Sequence, residues 1–335
     1  MELQPRLWAR AFTGFYRPQA EARTELDPVA RFLYSARAVI LVISAQAALI
    51  AGLLAAGDRR FHPLEFVLLT LGLLTAHAIS NLSNDYFGYR RGHDTPDSPR
   101  MRYTLHPRTS GLEPAFLLTG IAVLGLCGLA VSAYFAVERG PLALLFAALG
   151  ALFLYLYDAA PIPLKSIGLG ELAAFLVWGP LMVGGGYFVV AGRLSSAAFW
   201  VSIPYGLGVA SILVGKHIDQ LSFDQAHGNR TLPVVVGEAG ARRLNQAVVV
   251  LMYAVIAILI LGGVATPLLA LAAVALPRAV RALQIMGRPR PEGPPPGYAG
   301  WPLWNHRVCL SHNRLFGWAY IAGLGLGAVV PGFRL

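Results

Sequence analysis

Asn81-Leu82-Ser83-Asn84-Asp85-Tyr86-Phe87-Gly88-Tyr89-Arg90-Arg91-Gly92-His93-Asp94-Thr95-Pro96-Asp97 is the stretch from which the rest of the chain is read. It closes an apolar run over 66–79 and turns polar within a few residues. Amides and carboxylates at the end of a membrane helix are costly and call for a reason. If the helix continues to about Gly88, Asn81 and Asp85 lie four apart on one face. Gly88 and Gly92 then let the chain turn, so that Asp94 and Asp97 fold back toward the helix end. Magnesium prefers hard oxygen ligands, and one or two carboxylates with substrate phosphates usually hold it. Asn81, Asn84, Asp85, Asp94 and Asp97 are therefore candidate ligands for half of a magnesium–diphosphate site. Ordinary capping of a helix end before a turn is the competing reading of the same residues.

The 335 residues are 56% hydrophobic and 13% charged, with a mean hydropathy of +0.57. Soluble domains carry about 25% charged residues, so the composition is that of a polytopic membrane protein. The formal net charge of +10 would suggest nucleic acid in a soluble protein. In a membrane protein the positive-inside rule accounts for it, and no nucleic-acid partner is expected. Cys127 and Cys309 make no metal or disulfide pattern.

Nine apolar runs are long enough to cross a bilayer: about 36–56, 64–86, 112–136, 141–157, 169–191, 195–217, 244–263, 265–284 and 312–330. The expected fold is an all-α integral membrane protein. Residues 1–35 form a cytoplasmic N-terminal segment, and 36–335 a single polytopic domain. With nine spans, 22 of the 27 Lys and Arg residues fall on the side of the N-terminus. That places the N-terminus inside the cell, in the plasma membrane, and puts the loops after spans 2 and 6 on the cytoplasmic face. The loops on that face are long; those opposite are short. The Pro- and Gly-rich connection 287–304 reads as a semi-rigid linker.

Span 6 ends in Lys216-His217-Ile218-Asp219-Gln220-Leu221-Ser222-Phe223-Asp224-Gln225-Ala226-His227-Gly228-Asn229-Arg230. Carboxylates again stand where an apolar span meets the cytoplasmic face. Two acidic sites on two helices can bind two magnesium ions with a diphosphate between them. Asp219 and Asp224 are the candidate ligands on this second helix. Lys216, Arg230, Arg100, Arg102 and Arg108 are placed to take the remaining phosphate charge. Lys165, one of two lysines beside 25 arginines, follows Tyr157-Asp158-Ala159-Ala160-Pro161-Ile162-Pro163 and either joins this cap or simply anchors the loop. Glu171, at the start of span 5, enters the membrane and requires a polar or cationic partner.

On these motifs the chain resembles the UbiA superfamily of intramembrane aromatic prenyltransferases. The matching residues are Asn81-Leu-Ser-Asn-Asp-Tyr with Gly92 and Asp94; Tyr157 through Lys165; Gly168-Leu-Gly-Glu-Leu172 with Gly179-Pro180 and Tyr187; and Asp224 through Gly228, Arg230-Thr-Leu232 and Gly237. Within the superfamily it looks most like the 1,4-dihydroxy-2-naphthoate polyprenyltransferases of menaquinone synthesis. The resemblance implies helices around a central cavity under a cytoplasmic cap. It implies Mg2+-dependent transfer of a polyprenyl group from an allylic diphosphate to an aromatic acceptor. Asp85, Asp219, Asp224 and Lys165 then carry catalytic roles, and Lys216, Arg100, Arg102 and Arg230 bind the diphosphate. The family's first motif is commonly Asn-Asp-x-x-Asp, whose second Asp falls at Gly88 here. Its second motif spaces acids four apart, which puts Gln220 where a carboxylate is expected. On an ideal helix Asp219 and Asp224 point about 140° apart.

The competing readings are a related enzyme with another acceptor, a membrane terpene cyclase, and a transporter. A transporter would place charges near span centres, in an inverted repeat; this chain places its acids at span ends on one face. Tyr86, Phe87, Tyr157 and Phe223 are candidates for stabilising a carbocation, or are ordinary interfacial aromatics. Acceptor identity, prenyl chain length and oligomeric state are not legible.

Overall fold

The computed structural model describes residues 3–16 and 26–329. Arg17, Arg23 and Arg334, three of the basic residues that bear on orientation, lie outside the described residues, as does position 330 at the end of the ninth apolar run. Every regular element described is helical. Among the described residues two short helices, α1 (Pro5–Thr13) and α2 (Pro28–Ser35), precede the bundle. The described parts of the expected N-terminal segment are docked. Asp27 caps α2 by accepting from Ala30 N at 2.7 Å and binds Trp8 Nε1 at 3.0 Å. Ala11, Tyr34 and Leu117 share a buried cluster with Leu82.

Eight helices among the described residues are long and apolar enough to cross a membrane. They are α3 (Ala38–Gly57), α4 (Pro63–Arg90), α5 (Pro114–Arg139), α6 (Pro141–Ala159), α7 (Gly170–Ala191), α8 (Ser196–Asp219), α10 (Leu232–Leu261) and α11 (Pro267–Met286). A one-and-a-half-turn helix, α9 (Leu221–Ala226), follows α8. The expected ninth span exists as α12 (Asn305–Val329) but falls short of that apolarity. Its first half carries Arg307, His312, Asn313 and Arg314. His312 is partnered inside the bundle by Tyr253 Oη at 2.9 Å, while Arg307 is exposed over the Tyr298 ring. α10 starts twelve residues before the expected span: a short helical piece over 232–236 meets a kink at Gly237 (φ 76°, ψ 157°), and the polar stretch after it continues into the span. Arg242 and Gln246 reach Met286 O and Leu283 O from that stretch.

α5 and α6 are apolar yet almost unburied, with Leu126 69%, Leu129 68% and Val137 82% exposed. Apolar side chains facing outward over whole helices require a lipid solvent, and the chain is a multi-pass membrane protein. α7 widens to a π-helix over Val177–Gly185, around Pro180. Proline removes a donor and crowds the preceding turn, and a wider turn relieves that crowding.

The helices enclose a cavity of about 830 Å³. Arg37, Asn84, Arg100 and Lys216 line one end of it; Ala143, Phe146 and Gly186 line the other. Nearly all the wall between them is apolar.

Candidate active site

The polar end is built by the mouths of α4, α6, α7 and α8 and the loop after α4. α4 runs on to Arg90, so Asn81, Asn84 and Asp85 occupy its last turns, all buried. One oxygen of Asp85 pairs with Arg37 and with Arg100. The other, Oδ2, is buried and has no hydrogen-bond partner among the described residues. Arg37 adopts a left-handed backbone (φ 53°) between α2 and α3. That conformation is uncommon outside glycine and clusters at functional sites. Asn81 holds this arginine: its Nδ2 donates to Ala36 O at 2.9 Å, and its Oδ1 accepts from Arg37 at 3.3 Å.

Arg100 Nη1 donates to Asn84 Oδ1 at 2.8 Å and to Asp94 Oδ1 at 3.0 Å. Burial, and then Arg37 nearby, push the Arg100 guanidinium down to about 9, still high enough to keep it cationic near neutrality. Asp94 Oδ2 lies 3.1 Å from His106 Nε2. His106 Nδ1 accepts from Arg108 N at 3.2 Å, so Nε2 carries the ring proton and donates to the carboxylate. Burial holds this imidazole below its ordinary value despite Asp94.

At Gly88, where the motif's second acid is missing, the space beside the helix is taken by another carboxylate. A Cβ at Gly88 would overlap the Asp94 carboxylate. The backbone closes the same loop, Asp94 N donating to Gly88 O at 3.2 Å. Asp94 thus fills the space beside α4 that a larger residue at position 88 would need.

On the facing side, α8 stops at Gln220, whose φ of −109° and ψ of 4° break the helix before α9. The break settles the 140° problem by separating the two acids. Asp224 and Gln220 face a small polar pocket beside Asn84, Gly88, Asp94, Arg100, Lys165 and Lys216. Asp224 Oδ2 accepts from Thr231 at 3.1 Å, and burial raises its carboxyl above the ordinary range. Gln220 Nε2 donates to Tyr103 Oη at 3.0 Å. Lys165 pairs with the buried Asp158 and reaches Asn84 Oδ1 at 3.4 Å. Glu171 has the partner it required, His217 Nδ1 at 2.6 Å.

Several of the residues singled out from sequence stand elsewhere. Asp219 is turned away from the pocket: it accepts from Asn305 N at 2.9 Å, Asn305 Nδ2 at 3.0 Å, His306 N at 2.9 Å and Arg290 Nε at 3.2 Å. It caps the start of α12, where backbone N–H groups otherwise lack partners. Asp97, Arg102, Arg108 and Arg230 are exposed and line neither the pocket nor the cavity; Arg108 lies over the Tyr89 ring instead. Arg37, Tyr103, His106 and Asp158 were not singled out. Arg37, cationic just before an apolar span, and Asp158, inside the Tyr157–Lys165 motif, left a sequence signal; Tyr103 and His106 left none.

No group of three or more His, Cys, Asp or Glu side chains among the described residues could hold a metal ion by itself. The donors that line the polar pocket are oxygens, those of Asn84, Asp94 and Asp224; Asp85 is fully buried behind them, lines neither the pocket nor the cavity, and is tied to Asn84 and Asp94 through Arg100. The pocket's set fits magnesium of the kind completed by phosphate and water.

A polar pocket with cations and carboxylates, opening onto a deep apolar cavity inside a helical bundle, defines a membrane enzyme for an amphiphile with an anionic head. The model of the UbiA prenyltransferase family matches residues 45–298. The chain belongs to that family and is a membrane-embedded prenyltransferase, moving the prenyl group of an allylic diphosphate to an acceptor. It is 26% identical over 226 residues to the 1,4-dihydroxy-2-naphthoate octaprenyltransferase of Bacillus subtilis, covering 66% of this chain and 70% of that one. It is 28% identical over 231 residues to the 2-carboxy-1,4-naphthoquinone phytyltransferase of Synechocystis, covering 68% and 73%. Among solved structures it resembles an apo UbiA homolog from Aeropyrum pernix (TM-score 0.63, 15% identity, 84% of this chain and 96% of that one). It also resembles a UbiA homolog from Archaeoglobus fulgidus bound to GPP and Mg2+ (TM-score 0.57, 15% identity, 87% and 98%).

Proposed function

We propose that the chain transfers a polyprenyl group to an aromatic acceptor of the 1,4-dihydroxy-2-naphthoate kind, with Mg2+, in menaquinone synthesis. One observation carries the reading. Asn84, Arg100 and Lys216 line both the polar pocket and the apolar cavity. A diphosphate in the pocket with its hydrocarbon tail in the cavity has its C1–O bond at that junction. The naphthoate acceptor rests on the kinship to the Bacillus and Synechocystis proteins.

Asn84, Asp94 and Asp224 would hold the magnesium, with Asp85 behind them tied in through Arg100. Bound there, it would draw negative charge off the departing diphosphate. Arg100, Lys165 and Lys216 bind the phosphate oxygens, and charge stabilisation of the leaving group is the largest contribution a site of this kind makes. The C1–O bond breaks with both electrons going to diphosphate. The acceptor ring carbon attacks C1, and in the naphthoate case that carbon loses its carboxylate as CO2. The apolar wall solvates the tail and keeps water from the allylic cation. The basic-residue distribution supports a pocket on the cytoplasmic face.

Purified protein in detergent is incubated with Mg2+, geranylgeranyl diphosphate and a panel of aromatic acceptors, and product mass is read. A prenylated, decarboxylated naphthoate is the expected product. Diphosphate release without adduct would favour a cyclase, and no turnover would revive the transporter.

A further inference from the structure

His77 sits in the fifteenth position of the 28-residue α4 and lines the apolar cavity, 5% exposed. A polar ring at the middle of a membrane helix is expensive and is a functional candidate by default. Its Nδ1 lies 2.9 Å from Ser44 Oγ. Trp178 Nε1 donates to that same oxygen at 3.1 Å. The ring's other nitrogen, Nε2, has no hydrogen-bond partner among the described residues.

The order of donors fixes the tautomer. An indole N–H can only donate, so Ser44 accepts from Trp178. The Ser44 proton then goes to His77 Nδ1, a far better acceptor than the Met182 sulfur 3.9 Å away. A neutral imidazole accepting at Nδ1 carries its proton at Nε2. The relay therefore presents one N–H donor to an otherwise apolar wall. Beside it, the Trp178 ring stands edge-on to the imidazole, centroids 5.1 Å apart, and lines the same cavity.

We propose that His77 Nε2–H binds an oxygen of the aromatic acceptor, with Trp178 forming part of the ring's seat. It rests on the aromatic-acceptor reading above. The other participants do not supply the oxygen. Asn84, which lines the polar pocket, lies seven residues on, about 10 Å along the helix, so a diphosphate head there is two turns away. The prenyl tail carries no hydrogen-bond acceptor. A hydroxyl, carbonyl or carboxylate oxygen on a ring reaching inward from C1 is the group that matches a lone N–H at this depth. An acceptor lacking that oxygen leaves a buried donor unpaired, which discriminates far better than an apolar wall.

The test separates acceptor binding from donor chemistry. Wild type, His77→Phe, His77→Gln and Ser44→Ala are compared for binding of radiolabelled 1,4-dihydroxy-2-naphthoate and 4-hydroxybenzoate. KM is measured for whichever acceptor turns over and for geranylgeranyl diphosphate. His77→Phe raises the acceptor Kd and KM about tenfold, the worth of one buried hydrogen bond, and leaves the diphosphate KM within twofold. His77→Gln, whose Nε2 amide donates from a similar place, recovers most of the loss, and Ser44→Ala falls between. Acceptor binding by His77→Phe equal to wild type overturns the proposal, and so does an equal loss for both substrates. Binding of neither phenol by wild type overturns it as well. Turnover of 4-hydroxybenzoate alone, with the His77→Phe loss intact, overturns only the naphthoate assignment.

Discussion

Gly88→Ala is the sharpest test of how this site differs from its motif. In an exposed helix the change would favour folding by about 0.8–1 kcal/mol, because alanine loses less backbone entropy. Here the new Cβ would overlap the Asp94 carboxylate, and the carboxylate must leave. Its departure breaks the bond to Arg100 at 3.0 Å and the one to His106 at 3.1 Å. Hydrogen bonds to charged groups contribute about 1.5–3 kcal/mol each, and one that survives in altered form contributes less. A net loss of about 2–4 kcal/mol outweighs the propensity gain. If it falls on the reacting complex, the rate drops by roughly 30- to 1,000-fold. The assay is Mg2+-dependent release of diphosphate from geranylgeranyl diphosphate, beside a thermal melt to show the protein is folded. Gly88→Asp alone should be as impaired. Gly88→Asp combined with Asp94→Gly should recover part of the activity by moving the carboxylate to the helix, a coupling seen only between neighbours. Wild-type rate and magnesium dependence in Gly88→Ala would refute the reasoning.

Other consequences are as direct. Asp85→Ala and Asp224→Ala should each abolish magnesium-dependent diphosphate release; full activity in both would remove the site assignment. Asp219→Ala should lower the melting temperature by uncapping α12, losing about 3–5 kcal/mol as a buried partner of Arg290, while the protein that remains folded keeps its kcat. A dead but fully stable variant would return Asp219 to the metal site. Asp97→Ala, Arg102→Ala and Arg230→Ala should each change kcat/KM less than twofold, and a tenfold loss in any of them would place it against the substrate. Burial raises the Asp224 carboxyl, so as pH falls it takes up its proton sooner than an ordinary carboxylate. If Asp224 ligates as the anion, the acid limb of the rate profile should lie above the range of an ordinary aspartate, and Asp224→Glu should move it. An unchanged limb in that variant would assign it to another group.

What was legible in the sequence is what chain-local chemistry dictates. Apolar runs of spanning length give membrane helices whatever their partners, since lipid requires every backbone group to be satisfied within the helix. Polar residues that end such runs mark where a site faces water, so Asn84, Asp85, Asp94, Asp224, Lys165 and Lys216 could be found one stretch at a time. The ninth span was legible as a helix but not as an internal one, because its polar first half is tolerable only against particular neighbours. Tertiary structure alone decided direction and pairing. Asp219 and Gln220 are adjacent, and a single helix break sends the acid to cap α12 and the amide to the pocket. Arg37 meets Asp85 across 48 positions, and Trp178 meets Ser44 across 134; no periodicity links residues so far apart. Asp94 stands against Gly88 because the loop between them folds back at Gly92 (φ 70°). The turn could be read from the sequence. The carboxylate's place against the helix depends on Arg100 and His106, which hold it there from the next segment of chain.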